Sequence, residues 1–109
     1  MNPGPEMDKA VLEITGWKHS KSACEQIEPS SWSNGTDTIR HYDPKPSTDL
    51  PTAMRVVWPW LKVRFYRKEL LTASSGGAWF LGNGVAFPIG QDEAHALCNA
   101  VLEFKGSNP

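Results

Sequence analysis

The segment 47–66, STDLPTAMRVVWPWLKVRFY, constrains the fold more than any other, because the spacing of its apolar residues changes at Pro59. Before this proline, apolar side chains recur every three or four residues, which is typical of one face of a helix. After it, apolar and polar residues alternate, as they do in a half-buried strand. Since the residue before a proline avoids the α region, we predict a helix over 48–58 and a strand over 61–69.

Three other patterns predict regular structure. A short apolar stripe followed by Gly16 predicts a helix over 8–15, and we expect Trp17 to turn back onto the core. A Gly-Asn-Gly sequence at 82–84 predicts a hairpin turn between strands at 78–81 and 85–89, because these residues tolerate positive φ. Acidic residues followed by apolar residues at helical spacing predict a helix over 92–105.

The stretch 18–46 shows no sustained periodicity and is rich in Ser, Asn, Gly, Pro and Asp. It is predicted to be a long irregular loop with brief extended pieces at 24–27 and 38–42. Trp32 lies inside it, and we expect this ring to pack on the domain or against a partner. Residues 1–7 and 107–109 are expected to form flexible tails.

These elements predict a single α+β domain over 8–106. The expected architecture is an α-β-α sandwich, in which two to three helices pack on a three- to four-stranded antiparallel sheet. A chain of 109 residues with 39% hydrophobic residues can bury a core without disulfides or a metal. The exposed edge of a small sheet makes self-association into a homo-oligomer a further hypothesis.

Charge and composition argue against several classes of function. The formal net charge is −1, whereas a general nucleic-acid-binding protein usually carries a basic surplus. No apolar run approaches the ~20 residues that a membrane-spanning helix requires. No secretory leader pattern is visible, so we expect a cytoplasmic protein. Cys98 lies on the apolar face of a predicted helix, which favours a buried free thiol.

Catalytic and metal-binding patterns are weak. His19, His41 and His95 are far apart in the sequence, and no CxxC or HxxxH pair accompanies them, so no metal or cofactor is predicted. The glycine clusters at 76–77 and 82–84 lack the lysine and helix start of a phosphate-binding loop. Cys24, five residues after His19, is the best candidate nucleophile, but it has no flanking signature of a cysteine enzyme.

Cationic and aromatic side chains, which are the best candidates for ligand binding, are most concentrated between residues 55 and 68. On the predicted strand, Lys62, Arg64 and Tyr66 would share one face. Such a face can bind carboxylates or phosphates and can stack on bases. The alternative is that the tryptophans fill the core and the cations are solvated. The predicted ligand- or partner-binding residues are Arg55, Trp58, Trp60, Lys62, Arg64, Tyr66, Arg67 and Trp79.

Several short motifs resemble the phage ABA sandwich domain family, small proteins encoded by tailed phages and prophages. The resemblance rests on the Gly16-Trp17 pair, on the Ser-Thr-Asp box at 47–49 followed by Ala53 and Met54, and on HALCNAVL at 95–102. It implies α-β-α layering and a phage origin, and it supplies no shared activity. The loop after the first strand differs in length from the family pattern, and the usual Asp-Gly turn is absent there.

Three hypotheses for function follow. The leading one is a non-enzymatic phage accessory protein that binds a host target, with a host defence system as one candidate. The second is a protein that sequesters a nucleotide-type signal at a subunit interface, through Arg64, Arg67 and the tryptophans. The third is a small enzyme that uses Cys24 or a histidine. The lack of a catalytic motif favours the first.

Overall fold

The fold is taken from a computed structural model that describes residues 2–20, 31–40 and 42–107. The extended piece predicted at 24–27 lies outside these residues. The helices and strands, in chain order, are α1 Pro5–Ile14, β1 Lys18–Ser20, β2 Ser31–Ser33, β3 Thr38–Arg40, α2 Leu50–Val56, α3 Trp58–Lys62, β4 Lys68–Thr72, β5 Ala78–Gly82, β6 Val85–Ala86 and α4 Glu93–Ser107.

The predicted α+β class with antiparallel strands is confirmed. Strands β4, β5 and β6 form the expected three-stranded meander, and the hairpin turn between β5 and β6 has positive φ at Asn83 (51°) and Gly84 (83°). A second antiparallel sheet, in the order β1-β2-β3, lies within the stretch 18–46, and its third strand matches the extended piece predicted at 38–42. The other two strands were not predicted, because strands of three residues are too short to show a period-2 pattern.

Helix α4 is the centre of the domain. It contacts β4 and β5 of one sheet and both α1 and α2. Every residue over 94–101 except Asn99 is buried, which is typical of a helix packed on nearly all sides. Ala94, Ala96 and Ala100 leave room for these elements to approach closely. The helix predicted over 92–105 is confirmed.

Helix α1 begins three residues earlier than predicted and ends one residue earlier, at Ile14. Pro5 occupies its first turn, where a missing N–H has no cost, and Met7 is fully buried, so residues 5–7 belong to the helix and not to the predicted flexible tail. At the other end, Gly16 adopts φ 88°, and the backbone N–H of Trp17 donates to the Leu12 carbonyl at 2.9 Å. This arrangement is a Schellman motif, and it returns the buried Trp17 to the core.

The strand predicted over 61–69 is wrong, because the chain after Pro59 continues as a helix. Helix α2 ends at Val56, and Val57 keeps helical dihedrals (φ −94°, ψ −44°). Pro59 then lies in the first turn of α3, where proline fits a helix well. The N–H of Leu61 donates to the Val57 carbonyl at 3.0 Å, and strand pairing begins only at Lys68.

A buried polar contact joins α1 to the loop before α2. The Asp8 carboxylate accepts hydrogen bonds from the backbone N–H of Ser47 (2.8 Å) and from its hydroxyl (2.7 Å). Ser47 is fully buried and Asp8 is 7% exposed. The N-cap of α2 is instead Asp49, whose side chain accepts from the N–H of Thr52, so the Ser-Thr-Asp box caps the helix through its third residue.

Gly90 lets the chain cross closely over the start of α4. Its backbone forms a two-way bridge with Ala78 of β5, at 2.8 Å and 3.1 Å. A Cβ atom at Gly90 would lie 2.5 Å from the backbone nitrogen of Ala96. Only glycine at position 90 therefore allows the connection between β6 and α4 to pair with β5 and to pass close to the backbone of α4.

We predict that Gly90→Ala destabilises the protein by about 1–3 kcal/mol, because the added methyl group collides with helix backbone that cannot rotate away. Urea unfolding measures the change. Gln91→Ala is the control, since this side chain is exposed and the expected change is within about 0.5 kcal/mol. Equal stability of the two variants would contradict the close approach of Gly90 to α4.

Candidate binding surface

The structure separates the eight predicted site residues into four places. Arg55 lies on α2, Trp58 packs into the core, and Trp79 lies on β5. The other five occupy α3 and the turn that follows it. We call these five residues the α3 surface: Trp60, Lys62, Arg64, Tyr66 and Arg67.

Arg55 is engaged by the turn between β2 and β3. Its Nε and Nη2 atoms donate to the two carboxylate oxygens of Asp37 at 2.7 Å and 2.9 Å, and Nη2 also donates to the carbonyl of Thr38. This hydrogen-bonded pairing lowers the pKa of Asp37 and raises that of Arg55. Arg55 therefore links α2 to the first sheet and is not brought into the α3 surface.

Two of the predicted tryptophans also lie apart from the α3 surface. The half-buried ring of Trp58 packs edge-on against Phe80, with centroids 6.3 Å apart, and so contributes to the core. Trp79 pairs with Leu71 across β4 and β5 and lies on the sheet face opposite to that of its neighbour Phe80. For Trp58, the alternative that a tryptophan fills the core is the one the structure supports.

A cation–π contact organises the α3 surface. The guanidinium carbon of Arg64 lies 3.7 Å from the centre of the Trp60 ring, and its Nη1 donates to the Trp60 carbonyl at 3.0 Å. Arg64 lies in the turn that continues from the end of α3, four residues after Trp60, and this helical spacing brings the two side chains together. Burial against the ring lowers the pKa of Arg64, although a guanidinium remains charged at neutral pH.

The rest of the α3 surface is open. Tyr66 is 92% exposed and the neighbouring Val63 is 77% exposed. Lys62 and Arg67 are exposed as well. Across 2–20, 31–40 and 42–107, no carboxylate forms an ion pair with a cation of this surface. The surface thus presents unpaired positive charge beside exposed apolar and aromatic groups.

An apolar groove of about 640 Å³ adjoins the α3 surface through Phe104. The Phe104 ring packs edge-on against Trp60 at 5.6 Å and also lines the groove. The groove is also lined by Val85 and Ile89, which are 61% and 68% exposed. Exposed apolar side chains that line one groove are typical of a macromolecular interface.

Catalytic chemistry finds little support in the described residues. Burial raises the pKa of the Cys98 thiol, and the carboxylates of Asp8 and Asp92 raise it further, so this sulfur stays protonated. His95 is buried one turn away, and its Nδ1 accepts from the backbone N–H of Gln91 at 2.8 Å. Cys24 and His41 lie outside the part of the chain that the structure describes. Within that part, no group of three or more His, Cys, Asp or Glu is arranged to hold a metal ion.

A second groove, of about 610 Å³, was missed by sequence reasoning. It lies between α1, β2 and the loop 43–48, and Trp32 forms part of its wall. The Trp32 indole N–H donates to Asp43 at 3.0 Å, and the ring stacks on His19 at 4.7 Å. The only sequence signal was a tryptophan in a polar stretch, and its predicted packing on the domain is confirmed.

Comparison with known proteins gives no identification. No protein-family model matches the chain, and no curated protein or solved structure matches it either. The resemblance to the phage ABA sandwich domain family therefore stays a prediction. No helix in the described ranges is long and apolar enough to cross a bilayer.

We predict that Arg55→Gln lowers stability by less than about 1 kcal/mol at pH 7, because the side chains of Arg55 and Asp37 are 42% and 41% exposed. The pKa of Asp37 lies below its ordinary value of 3.8, so the stabilisation is present above that pH and is lost as pH falls through the folded-state pKa. Urea unfolding at pH 7 and at about pH 2 measures this loss.

The control for this measurement is Lys62→Gln, which removes an exposed cation that pairs with no carboxylate among the described residues. Its effect on stability should be nearly the same at the two pH values. The ion pair would be contradicted if Arg55→Gln and the unmodified protein differed in free energy of unfolding by the same amount at both pH values.

Proposed function

We propose that this chain is a non-enzymatic binding protein, and that the α3 surface docks on an acidic region of a partner protein. The main observation in support of the proposal is the contact of the Arg64 guanidinium with the Trp60 ring. It holds a cation in a fixed position next to unpaired Lys62 and Arg67 and exposed Tyr66. Arginine and the aromatic residues are enriched at the centres of protein interfaces.

The adjoining groove supports a protein as the partner. Protein interfaces combine an apolar centre with a polar rim. The groove lined by Phe104, Val85 and Ile89 supplies the apolar part, and the cations of the α3 surface supply a charged edge. Positive charge at that edge favours an acidic partner and speeds its association.

Binding of a nucleotide at the α3 surface has less support. The indole of Trp60 already carries the Arg64 guanidinium on its ring and contacts Phe104 at its side. Trp58 packs against Phe80 in the core, and Trp79 lies on another face of the molecule. One face of the single tryptophan in the α3 surface is therefore already occupied by an internal contact.

The lack of enzymatic activity is part of the proposal. Its support is the buried, protonated thiol of Cys98 and the engagement of His95 Nδ1 by the backbone of Gln91. The sequence resemblance suggests a phage accessory role in the cytoplasm of a bacterial host. On that basis the partner would be a host protein, with a component of host defence as one candidate.

Affinity capture from bacterial lysate tests the proposal. The expected result is an acidic host protein whose recovery is lost with Arg64→Glu/Arg67→Glu and falls when NaCl is raised from about 50 to 500 mM. The matched control is Lys18→Glu/Arg40→Glu, which makes the same charge change on exposed residues of the first sheet. The captured protein is then purified, and its affinity for the three forms is measured by calorimetry.

The role of the α3 surface would be contradicted if recovery of the host protein did not depend on residues 64 and 67. It would also be contradicted if recovery were lost equally in the control variant. A protein that binds with the same affinity at low and high salt would contradict the electrostatic part of the proposal.

A further inference from the structure

The groove beside Trp32 carries two lysines whose ammonium groups are available to a ligand. Four charged side chains line it: Asp8, Asp43, Lys9 and Lys45. The Asp8 carboxylate is occupied by two hydrogen bonds from Ser47, and Asp43 accepts from the Trp32 indole. Neither lysine has an ion-pair partner in the residues that the structure describes, and both are exposed. The two ammonium groups can therefore contact an anion, although the four charged side chains together have no net charge.

Most of the remaining lining is apolar. Pro5 and Leu12 from α1 line the groove together with Trp32 and Pro44. Trp32 is held in place by its hydrogen bond to Asp43 and by its stack on His19. A ring fixed in this way is a preorganised surface for a planar ligand, since no side-chain freedom is lost on binding.

We propose that this groove binds a nucleoside phosphate, with the phosphate at Lys9 and Lys45 and the base packed against Trp32 and the prolines. The volume of about 610 Å³ falls within the range that holds small organic ligands. Ammonium groups bind phosphate as point charges, and aromatic rings stack on bases of any sequence. One ligand thus accounts for both the exposed lysines and the apolar part of the lining.

This site is independent of the α3 surface. The groove and the α3 surface share no residue, and they are built on different elements of the chain. Variants at Arg64 and Arg67 should bind the nucleotide as the unmodified protein does. Failure of either proposal leaves the other open to its own test.

Calorimetry and ¹⁵N NMR of the indole N–H signals test the proposal with AMP, UMP, adenosine and inorganic phosphate as probes. We expect a nucleoside monophosphate to bind and to shift the Trp32 indole signal, which Trp32→Phe identifies. We expect affinity to fall by about tenfold or more in Lys9→Ala/Lys45→Ala, since both phosphate contacts are removed. Arg40→Ala/Lys68→Ala makes the same charge change on β3 and β4, outside both the groove and the α3 surface, and should leave affinity unchanged.

Three results would overturn the proposal. The first is no heat and no Trp32 shift with any nucleotide up to about 5 mM. The second is binding that Lys9→Ala/Lys45→Ala does not weaken, which would place the ligand elsewhere. The third is binding of inorganic phosphate with the same affinity as AMP and UMP, which would show that the base does not contribute to binding. Circular dichroism of each variant confirms that it folds.

Discussion

The burial of α4 is the constraint on which the rest of the structure depends. One face packs on β4 and β5, and other faces receive α1 and α2. Protein interiors are packed as densely as crystals, so a helix with neighbours on so many sides needs small residues at the contacts. The alanines at 94, 96 and 100 meet this need, and Gly90 meets it where the chain crosses the start of the helix.

Both candidate binding sites are built on elements that α4 holds in place. Helix α1 packs on α4 and forms one wall of the groove beside Trp32, and the Asp8–Ser47 contact fixes the opposite loop to it. Near the other end of α4, Phe104 supports the ring of Trp60 and lines the second groove. Rigid elements therefore position the aromatic and cationic groups of each site before any partner binds, which lowers the cost of binding.

Sequence patterns predicted the parts of this fold whose signals are local. The last helix, the Gly16-Trp17 helix end and the glycine hairpin were all predicted correctly. The strand over 61–69 was not, because a proline that ends one helix can equally begin the next. The strand pattern grouped Arg64 with Lys62 and Tyr66, and it gave no sign of the contact between Arg64 and Trp60 that the helical turn produces. The groove beside Trp32 combines three distant segments, and no short-range pattern could reveal it.

The proposed binding surface depends on a helix after Pro59 and on the contact of Arg64 with Trp60 that follows it. Assigned NMR chemical shifts of residues 58–69 test this arrangement. We expect helical ¹³Cα shifts over 58–62 and Arg64 δ-proton signals moved upfield by the Trp60 ring, with the upfield shift lost in Trp60→Leu. Strand-type ¹³Cα shifts through 61–69, with Arg64 δ protons at their random-coil positions, would contradict it.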